Sequence, residues 1–377
     1  MRSSMKKIEH VNYDILDKAK AAFIVASQRT VKFAGAYGFI PESGFGSSAN
    51  VFTLDLKPFL KAGAESLSVT LLPEGLGTSD DARPEDLSTE EALKFWHNIG
   101  IKTVAVMTND AAASGLQTIL ISLYLPSSTP EIVFNETFMK GFLDGFVAGC
   151  EKVGCVYFSG ETPQLKGKIL EGKLDIAGAL FGICPPGKKP IDSSRLSAGD
   201  QIVFIESSGP HDNGFTTLRK LAADLPQGYR TKLPDGRDFY DAMNAPTILY
   251  TPFVQNLLRE NIDVTNIEPI TGHGWQKLMR SKKNLRYVIE TMLPVPAIFE
   301  FVERHANISK EEMMKIFNYG VGMAVFTPGD GEKIVEIAKK NGLNAVVAGV
   351  TEASERREVF VKPLGVTLTD EEFLLKK

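Results

Sequence analysis

Segments with strand character alternate with segments of helical character along the whole chain, and this alternation limits the possible folds more than any other feature. The clearest helix runs from Asn135 to Lys152, where phenylalanine recurs every four residues from Phe138 onward and marks one apolar face. Ser88, followed by Glu91, predicts a capping box at the start of another helix. Strands are predicted at 67–72, 119–125, 155–158, 174–183, 201–206, 285–290, 321–327 and 345–350. Further helices are predicted at 89–98, 215–223, 246–260, 297–305 and 332–340. This pattern is typical of α/β and α+β proteins.

The chain is long enough for two domains. Its 377 residues exceed the roughly 100–200 residues that one domain usually contains. Three prolines and a glycine between Pro185 and Pro190 form the dense cluster of helix and strand breakers in the middle of the chain. We therefore expect an N-terminal domain over 1–185 and a C-terminal domain over 186–377.

Composition and charge exclude several classes of function. With 42 basic and 46 acidic residues, the net charge of -4 argues against a nucleic-acid partner. The apolar stretch at 176–184 is half the roughly 20 residues that a membrane-spanning helix requires, so no membrane association is expected. Cys150, Cys155 and Cys184 are expected to be buried free thiols rather than a disulfide framework. We expect a cytoplasmic protein.

A glycine-rich segment near the N-terminus is a candidate nucleotide contact. Gly44, Phe45 and Gly46 are followed by small residues, which let backbone N–H groups approach a phosphate. Pro41 and Glu42 precede the segment instead of a clean apolar strand, which argues against a dinucleotide-binding fold. A flap over a nucleotide and a surface turn are the remaining interpretations.

Acidic residues recur beside glycine or polar residues at the predicted ends of strands. Glu74 follows one strand, Asp110 ends an apolar stretch, Glu161 follows another strand, and Asp175 enters the next. Together they could converge on a magnesium ion held between nucleotide phosphates, because carboxylate oxygens are the ligands that this ion prefers. The alternatives are a solvated turn at 72–78 and a role for Asn109 and Asp110 in capping a short helical turn over 111–114.

A polar loop is predicted between the strand at 201–206 and the helix at 215–223. It contains Ser208, Gly209, His211 and Asn213, so that hydroxyl groups, glycine N–H groups and a helix N-terminus could form an anion cradle. The imidazole of His211 could donate a hydrogen bond to a phosphate. The loop at 271–274 is similar in kind. The alternative interpretation is an ordinary polar connection between a strand and a helix.

Taken in order, these segments resemble a known family. The segments are EGLGT (74–78), VAVMTND (104–110), GCEKVGCVYFSGET (149–162), LDIAG (174–178), SSGPHDNG (207–214), APTILY (245–250), ITGHG (270–274) and FNYGVGM (317–323). They resemble the phosphoribosylformylglycinamidine cyclo-ligase family, also called aminoimidazole ribonucleotide synthetase. The resemblance runs from about Tyr13 to Thr351, and its most specific parts are SSGPHDNG and FNYGVGM.

The resemblance implies a fold and a reaction. It implies two α/β domains, with the N-terminal domains of two subunits pairing into a β-barrel and ATP bound at the interface of that homodimer. The family converts formylglycinamidine ribonucleotide and ATP into aminoimidazole ribonucleotide, ADP and phosphate. The formyl amide oxygen is phosphorylated first, and the amidine nitrogen then closes the ring as phosphate leaves. Such phosphoryl transfer depends on positioning and charge neutralisation.

The resemblance also implies site residues. Asp110 and His211 are the expected catalytic residues, and Glu74, Asp110, Glu161 and Asp175 are the expected magnesium ligands. The remaining assignments separate the ATP contacts from the ribonucleotide contacts. The expected ATP contacts are Gly44, Phe45, Gly46, Gly75, Gly77, Thr78, Asn109 and Asp110, and the expected ribonucleotide contacts are Ser208, Gly209, His211, Asn213, Thr271 and Gly272.

Several positions depart from the family pattern. Ser79 replaces the lysine of T-D-G-V-G-T-K, and Asp212 replaces the serine that follows the histidine in the polar loop. Pro269 replaces a histidine two residues before T-G-G-G, and His273 replaces the middle glycine of that motif. These departures leave two alternatives open: a related ATP-dependent enzyme that acts on another small molecule, and a catalytically silent nucleotide-binding protein.

Overall fold

The computed structural model describes residues 13–33, 39–41 and 49–370. The first half contains a four-stranded sheet in the order β3-β6-β4-β5, in which only the β4–β5 pair is parallel. Its strands are β3 (Val69–Gly75), β4 (Gln117–Tyr124), β5 (Val156–Glu161) and β6 (Ala177–Ile183). Two short strands, β1 (Phe39–Pro41) and β2 (Phe52–Leu54), form a separate antiparallel pair.

Two long helices cover one face of the four-stranded sheet. The helices described in this half are α1 (Tyr13–Thr30), α2 (Lys57–Lys61), α3 (Thr89–Ala113), α4 (Pro130–Val133) and α5 (Glu136–Val153). The capping box of Ser88 and Glu91 opens α3 as predicted. Helices α3 and α5 approach closely because Gly145 has no side chain. A Cβ at this position would lie 1.9 Å from the His97 carbonyl oxygen. The phenylalanines of α5 are buried between these helices and the sheet.

Helix α3 is longer than the sequence predicted. The predicted helix ends at residue 98, and the apolar stretch after it is predicted to lead to a strand end. The helix continues instead to Ala113. Gly100 lies where α3 crosses α5, and a Cβ there would clash with the Phe142 carbonyl oxygen. This glycine therefore permits the close packing of the two helices and does not end α3. Asp110 therefore lies in the last turns of a helix, and the prediction of a short capped turn over 111–114 is wrong.

The second half contains a seven-stranded sheet in the order β13-β12-β9-β11-β7-β10-β8, antiparallel except between β12 and β9. Its strands are β7 (Gln201–Glu206), β8 (Asn266–Pro269), β9 (Leu285–Ile289), β10 (Val321–Thr327), β11 (Ala345–Ala353), β12 (Glu358–Val361) and β13 (Val366–Thr369). Its helices are α6 (Phe215–Asp224), α7 (Phe239–Met243), α8 (Thr251–Arg259), α9 (Ala297–His305), α10 (Lys310–Ile316) and α11 (Gly331–Lys340). Every residue of β10 is buried, because helices cover both faces of this sheet.

The predicted helix at 246–260 begins later than expected. Helix α8 starts at Thr251, and Pro252 lies in its first turn, where proline is tolerated. The preceding residues are non-helical because the Asn109 side chain hydrogen bonds to the backbone of Ile248 and Tyr250. This part of the chain therefore runs along α3 as an irregular segment.

The two sheets lie on either side of the predicted domain boundary, which itself stays a prediction. The three cysteines are buried free thiols, as expected. Across the ranges that the structure describes, no helix is both long and apolar enough to cross a bilayer.

Candidate functional site

Helix α3 connects the two halves of the molecule through polar side chains on one face. Asn98 donates a hydrogen bond from Nδ2 to the Asn244 carbonyl oxygen at 3.0 Å. One turn later, Lys102 donates from Nζ to the His211 carbonyl oxygen at 3.2 Å. Residues at this spacing share a helix face. Helix α3 therefore holds the polar loop at 207–214 at a fixed position relative to the first sheet.

Asn109 continues this connection. Its Nδ2 donates to the Ile248 carbonyl oxygen at 2.8 Å, and its Oδ1 accepts from the Tyr250 backbone nitrogen at 2.9 Å. Asn109 is buried, so its two polar groups serve the contact between α3 and the start of α8. This geometry gives Asn109 a positioning role, and the expected direct contact with ATP stays a prediction.

Two of the predicted acidic residues line one cavity. Glu74 at the end of β3 and Asp110 at the end of α3 face a cavity of about 550 Å³ that β8 closes from the second half. Burial raises the pKa of Asp110. Burial also raises the pKa of Glu74, and the nearby charge of Asp110 adds to that shift. Two carboxylates in one cavity match a magnesium ion that takes its other ligands from phosphates and water.

The other two predicted metal ligands lie elsewhere. The strand order places β6 and β4 between β3 and β5, with Gly75 and Glu161 at the same end of the sheet. Three strand spacings separate them, which amounts to about 14 Å. Glu161 lines a different cavity, together with Ser27 and Asn50.

Asp175 is exposed, and its negative charge acts on buried Asp80 rather than on the cavity of Asp110. Among the described residues, no group of three or more His, Cys, Asp or Glu side chains could hold a metal ion. The prediction that four acids converge within one chain is therefore wrong. The sequence pattern placed each acid beside a strand but carried no information about the order of the strands.

Two charged residues, one in the lining of this cavity and one close to its carboxylates, are not among the predicted site residues. Glu268 of β8 lines it and is almost fully buried, and burial raises the pKa of this carboxyl to about 7. Asn266 donates a hydrogen bond from Nδ2 to Glu268 Oε1 at 3.1 Å. Lys277 is buried and donates to Thr271 Oγ1, and its positive charge offsets part of the rise that burial causes in the pKa of Asp110. The alternation of apolar and polar residues in β8 suggests a solvent-exposed Glu268, but β8 packs against α3 of the first half, and Glu268 is buried.

Part of the expected nucleotide contact can be described. Gly44, Phe45 and Gly46 lie outside the described residues. Gly75 ends β3, and Gly77 follows with a left-handed φ of 72° and open space around its Cα. Thr78 is exposed and precedes a single 3-10 turn over Ser79–Asp81. The segment over 75–78, here named the nucleotide loop, therefore presents exposed residues beside Glu74, except at buried Leu76.

The polar loop at 207–214, here named the phosphate loop, is held by its own side chains. Ser208 donates from Oγ to the Pro246 carbonyl oxygen at 2.7 Å, and its backbone nitrogen donates to His211 Nε2 at 3.2 Å. His211 has a left-handed φ of 56°. Burial lowers the pKa of this imidazole to about 4, so the ring is neutral at pH 7. His211 Nε2 is thus an acceptor that shapes the loop, and contact of this ring with a phosphate stays a prediction.

The phosphate loop lies next to the loop at 271–274. A Cβ on Gly272 would lie 3.7 Å from Asn213 Oδ1, which measures how closely the two loops approach. Gly209 is fixed from the FNYGVGM segment, because Asn318 donates from Nδ2 to its carbonyl oxygen at 2.8 Å. Thr271 receives the hydrogen bond of Lys277. The segments SSGPHDNG, ITGHG and FNYGVGM therefore meet in one region.

Asp212 points away from the phosphate loop's exposed side. Its Oδ1 accepts from Ser79 Oγ at 2.9 Å, and its Oδ2 accepts from Thr247 Oγ1 at 2.8 Å. Lys102 Nζ lies 3.3 Å from Oδ1. The carboxylate is buried among these partners, so the repulsion of a bound phosphate that its charge suggests does not apply.

Comparison with known protein families matches both halves of the chain. Residues 84–184 match the N-terminal domain of AIR synthase related proteins, and residues 197–362 match the C-terminal domain. Curated phosphoribosylformylglycinamidine cyclo-ligases of Anaeromyxobacter sp. (strain K) and Anaeromyxobacter dehalogenans are 32% identical over 319 residues. These matches cover 82% of this chain and 86% of each relative.

Solved structures share the fold at low sequence identity. The hydrogenase maturation protein HypE of E. coli has a TM-score of 0.60 at 15% identity, covering 94% of this chain and 96% of its own. Thiamine-monophosphate kinase from Stenotrophomonas maltophilia K279a has a TM-score of 0.60 at 16% identity, with coverages of 90% and 95%. A HypE structure in complex with ATP also has a TM-score of 0.60, at 15% identity, with coverages of 88% and 89%. Both domain matches and the relatives at 32% identity show that this chain belongs to the AIR synthase related protein family.

Proposed function

We propose that this protein cyclises formylglycinamidine ribonucleotide to aminoimidazole ribonucleotide, with conversion of ATP to ADP and phosphate, as a cytoplasmic enzyme of purine biosynthesis. The observation that carries the proposal is the position of Lys277 between the loop at 271–274 and the two carboxylates of the cavity. Its ammonium donates to Thr271 in the loop beside Asn213, and its charge acts on Asp110 and Glu74. A phosphate-binding region and a pair of carboxylates thus lie in one electrostatic neighbourhood. The cyclo-ligase relatives support this interpretation.

In this proposal the chain binds the two phosphate-bearing substrates at different loops. The phosphate loop and Gly272 bind the ribonucleotide phosphate, helped by the N-terminus of α6, which begins directly after Gly214. The nucleotide loop binds the ATP phosphates through its backbone N–H groups. The acceptor oxygen of the formyl amide then lies between them, and positioning of this kind supplies most of the catalysis in phosphoryl transfer.

Glu74 and Asp110 are the residues that would hold a magnesium ion in this arrangement. A bound magnesium ion supplies charge neutralisation for the phosphate oxygens. The Lys277 ammonium contributes positive charge to the same region, while burial lowers its pKa. The amidine nitrogen of the substrate then attacks the activated carbon, and phosphate leaves with the former formyl oxygen. The neutral His211 holds the phosphate loop in place during both steps.

We also propose that two copies of the chain pair through the first sheet. One face of β3 presents apolar residues to solvent, since Val69 is 52% exposed and Leu71 is 76% exposed. Tyr124 lies on the same face through its register with Ala177 and Gly75, and is 43% exposed. Exposed apolar surface of this kind marks an interaction site. Pairing of two such faces would form the β-barrel that the family resemblance implies.

The proposed reaction is tested with the purified full chain, Mg-ATP and formylglycinamidine ribonucleotide. We expect ADP release that depends on the ribonucleotide, together with formation of aminoimidazole ribonucleotide in equal amount. Boiled protein and omission of the ribonucleotide are the controls. ATP turnover that ignores this ribonucleotide but requires another small acceptor would contradict the proposal.

A second candidate is an ATP-dependent enzyme of the same family with another acceptor. The observation that favours it is the replacement at β8, where Pro269 stands at the position of a family histidine beside the buried carboxyl of Glu268. The solved relatives include a thiamine-monophosphate kinase, which acts on a different substrate. Screening phosphorylated and unphosphorylated small acceptors for ADP release distinguishes this candidate from the cyclo-ligase. A catalytically silent protein would bind Mg-ATP without turning over any of them.

A further inference from the structure

A charged pair is buried where the two halves of the molecule meet. The Lys102 side chain is fully buried, and its Nζ lies 3.3 Å from Oδ1 of buried Asp212. The same ammonium donates to the His211 carbonyl oxygen at 3.2 Å and lies 4.6 Å from the ring centroid of Phe215. One side chain of α3 therefore contacts the end of the phosphate loop and the first residue of α6.

Both oxygens of Asp212 have partners. Ser79 donates to Oδ1 at 2.9 Å, and Thr247 donates to Oδ2 at 2.8 Å. A buried ion pair gives little net stability when desolvation is counted, although removing one partner is strongly destabilising. An ion pair with every partner satisfied does fix a unique geometry. The geometry fixed here is the position of the nucleotide loop, which ends beside Ser79, relative to the phosphate loop, which contains Asp212.

Two departures from the family pattern touch each other in this cluster. Ser79 stands where the family pattern has a lysine, and Asp212 stands where it has a serine. The two positions are 133 residues apart in sequence, yet their side chains form a hydrogen bond. Lys102 brings an ammonium group to the same cluster from α3. An ammonium group therefore lies close to position 79, although the residue that carries it belongs to α3.

We infer that Lys102 is a positioning residue: paired with Asp212, it holds the nucleotide loop and the phosphate loop in register. The identity of the two ligands rests on the proposed function. The coupling of the two loops rests only on the contacts of Lys102, Asp212 and Ser79.

Moving the charge tests this inference. Lys102→Ala removes the ammonium and vacates its volume, and we expect kcat/KM for ribonucleotide-dependent ADP release to fall about 100-fold, with KM raised for both substrates. Ser79→Lys in the Lys102→Ala background places an ammonium at the family position, within reach of Asp212. We expect this double variant to recover at least about tenfold in kcat/KM. The matched control, Ser79→Met with Lys102→Ala, restores the volume without the charge and should recover nothing.

A second variant keeps the inference testable if Lys102→Ala fails to fold. Lys102→Met with Asp212→Asn removes both charges and leaves no unpaired buried ion, so this variant should fold. We expect its two KM values to rise together. Wild-type KM values in this variant, or equal activity of the Ser79→Lys and Ser79→Met double variants, would overturn the inference.

A ligand-free measurement separates this inference from the proposed function. Amide hydrogen exchange at Asp81 and Ser208 reports on the two loops, because their backbone nitrogens donate to Thr78 O and His211 Nε2 respectively. We expect the variant with Lys102→Met and Asp212→Asn to exchange faster than wild type at both amides, while amides elsewhere in the fold stay protected. If wild-type protein does not turn over the ribonucleotide, the proposed function fails, whereas unchanged exchange at both amides would contradict the role of Lys102.

Discussion

At the scale of single residues, burial decides which charged groups can act. Asp110 and Glu74 share a cavity with the nearly buried Glu268, and one neighbouring ammonium, Lys277, offsets part of their charge. The sequence identified the first two from their position next to glycine or asparagine. It did not identify Lys277, Lys102 or Glu268, because a single charged residue in an apolar segment has no local pattern that distinguishes burial from exposure.

The carboxylate of Asp110 is predicted to contribute to Mg-ATP affinity rather than to folding stability. Asp110→Asn keeps the size of the side chain but removes a hard oxygen ligand, so we expect Mg-ATP affinity to fall by about tenfold or more. Calorimetric titration with a non-hydrolysable ATP analogue measures the change. Asp192→Asn is the matched control, since Asp192 lines the same cavity but is exposed and accepts from the Ser194 backbone nitrogen. Equal losses in the two variants would contradict the role of Asp110.

Glu268 predicts a dependence of stability on pH. Its pKa is about 7 in the folded protein against 4.5 in the unfolded chain, so the folded state keeps a proton that the unfolded state loses. The free energy of unfolding therefore falls as pH rises from about 4.5 to about 7, by about 3 kcal/mol in total for this group.

Glu268→Gln removes this titration and retains an oxygen that can accept the Asn266 hydrogen bond. We expect the variant to exceed wild-type stability by about 1–3 kcal/mol at pH 8 and to match it near pH 4.5. Urea unfolding at the two pH values measures both differences. A variant that is less stable than wild type at pH 8 would show that the charged carboxylate is stabilised by its neighbours.

At the scale of elements, helix α3 determines how the two halves meet. The sequence predicted its capping box, the spacing of α5 and most strands of both sheets, because caps and apolar periodicity are local signals. It did not predict that α3 continues past Gly100 or that residues 246–250 are non-helical. Both features depend on long-range contacts, the first with α5 and the second with Asn109. Strand order is likewise non-local, which is why Glu161 and Asp175 were grouped wrongly with Glu74.

The crossing of α3 and α5 predicts a strong effect of one methyl group. Gly145→Ala would place a Cβ 1.9 Å from the His97 carbonyl oxygen, so the helices must separate. We expect the free energy of unfolding to fall by about 3 kcal/mol, measured by urea denaturation. Lys140→Ala, on an exposed position of the same helix, should change it by less than about 0.5 kcal/mol. Similar small effects of both substitutions would contradict the close packing.

At the scale of the whole molecule, the exposed face of β3 predicts a homodimer. Leu71→Glu places a charge in the middle of that face, so we expect wild-type protein to sediment as a dimer and the variant as a monomer. Leu170→Glu is the matched control, because Leu170 is 79% exposed but lies outside the strands of the sheet. A wild-type monomer at tens of micromolar, or a Leu71→Glu dimer, would contradict this pairing.

The proposed function requires Glu74, Asp110, the nucleotide loop and the phosphate loop to act together in one region. The most direct test is a crystal structure of the full chain with magnesium and a non-hydrolysable ATP analogue. We predict that the terminal phosphates lie against the nucleotide loop, with a magnesium ion bound by Glu74 and Asp110 and the terminal phosphate facing the phosphate loop. An analogue bound in the cavity of Glu161, with both of these carboxylates free of metal, would contradict the account.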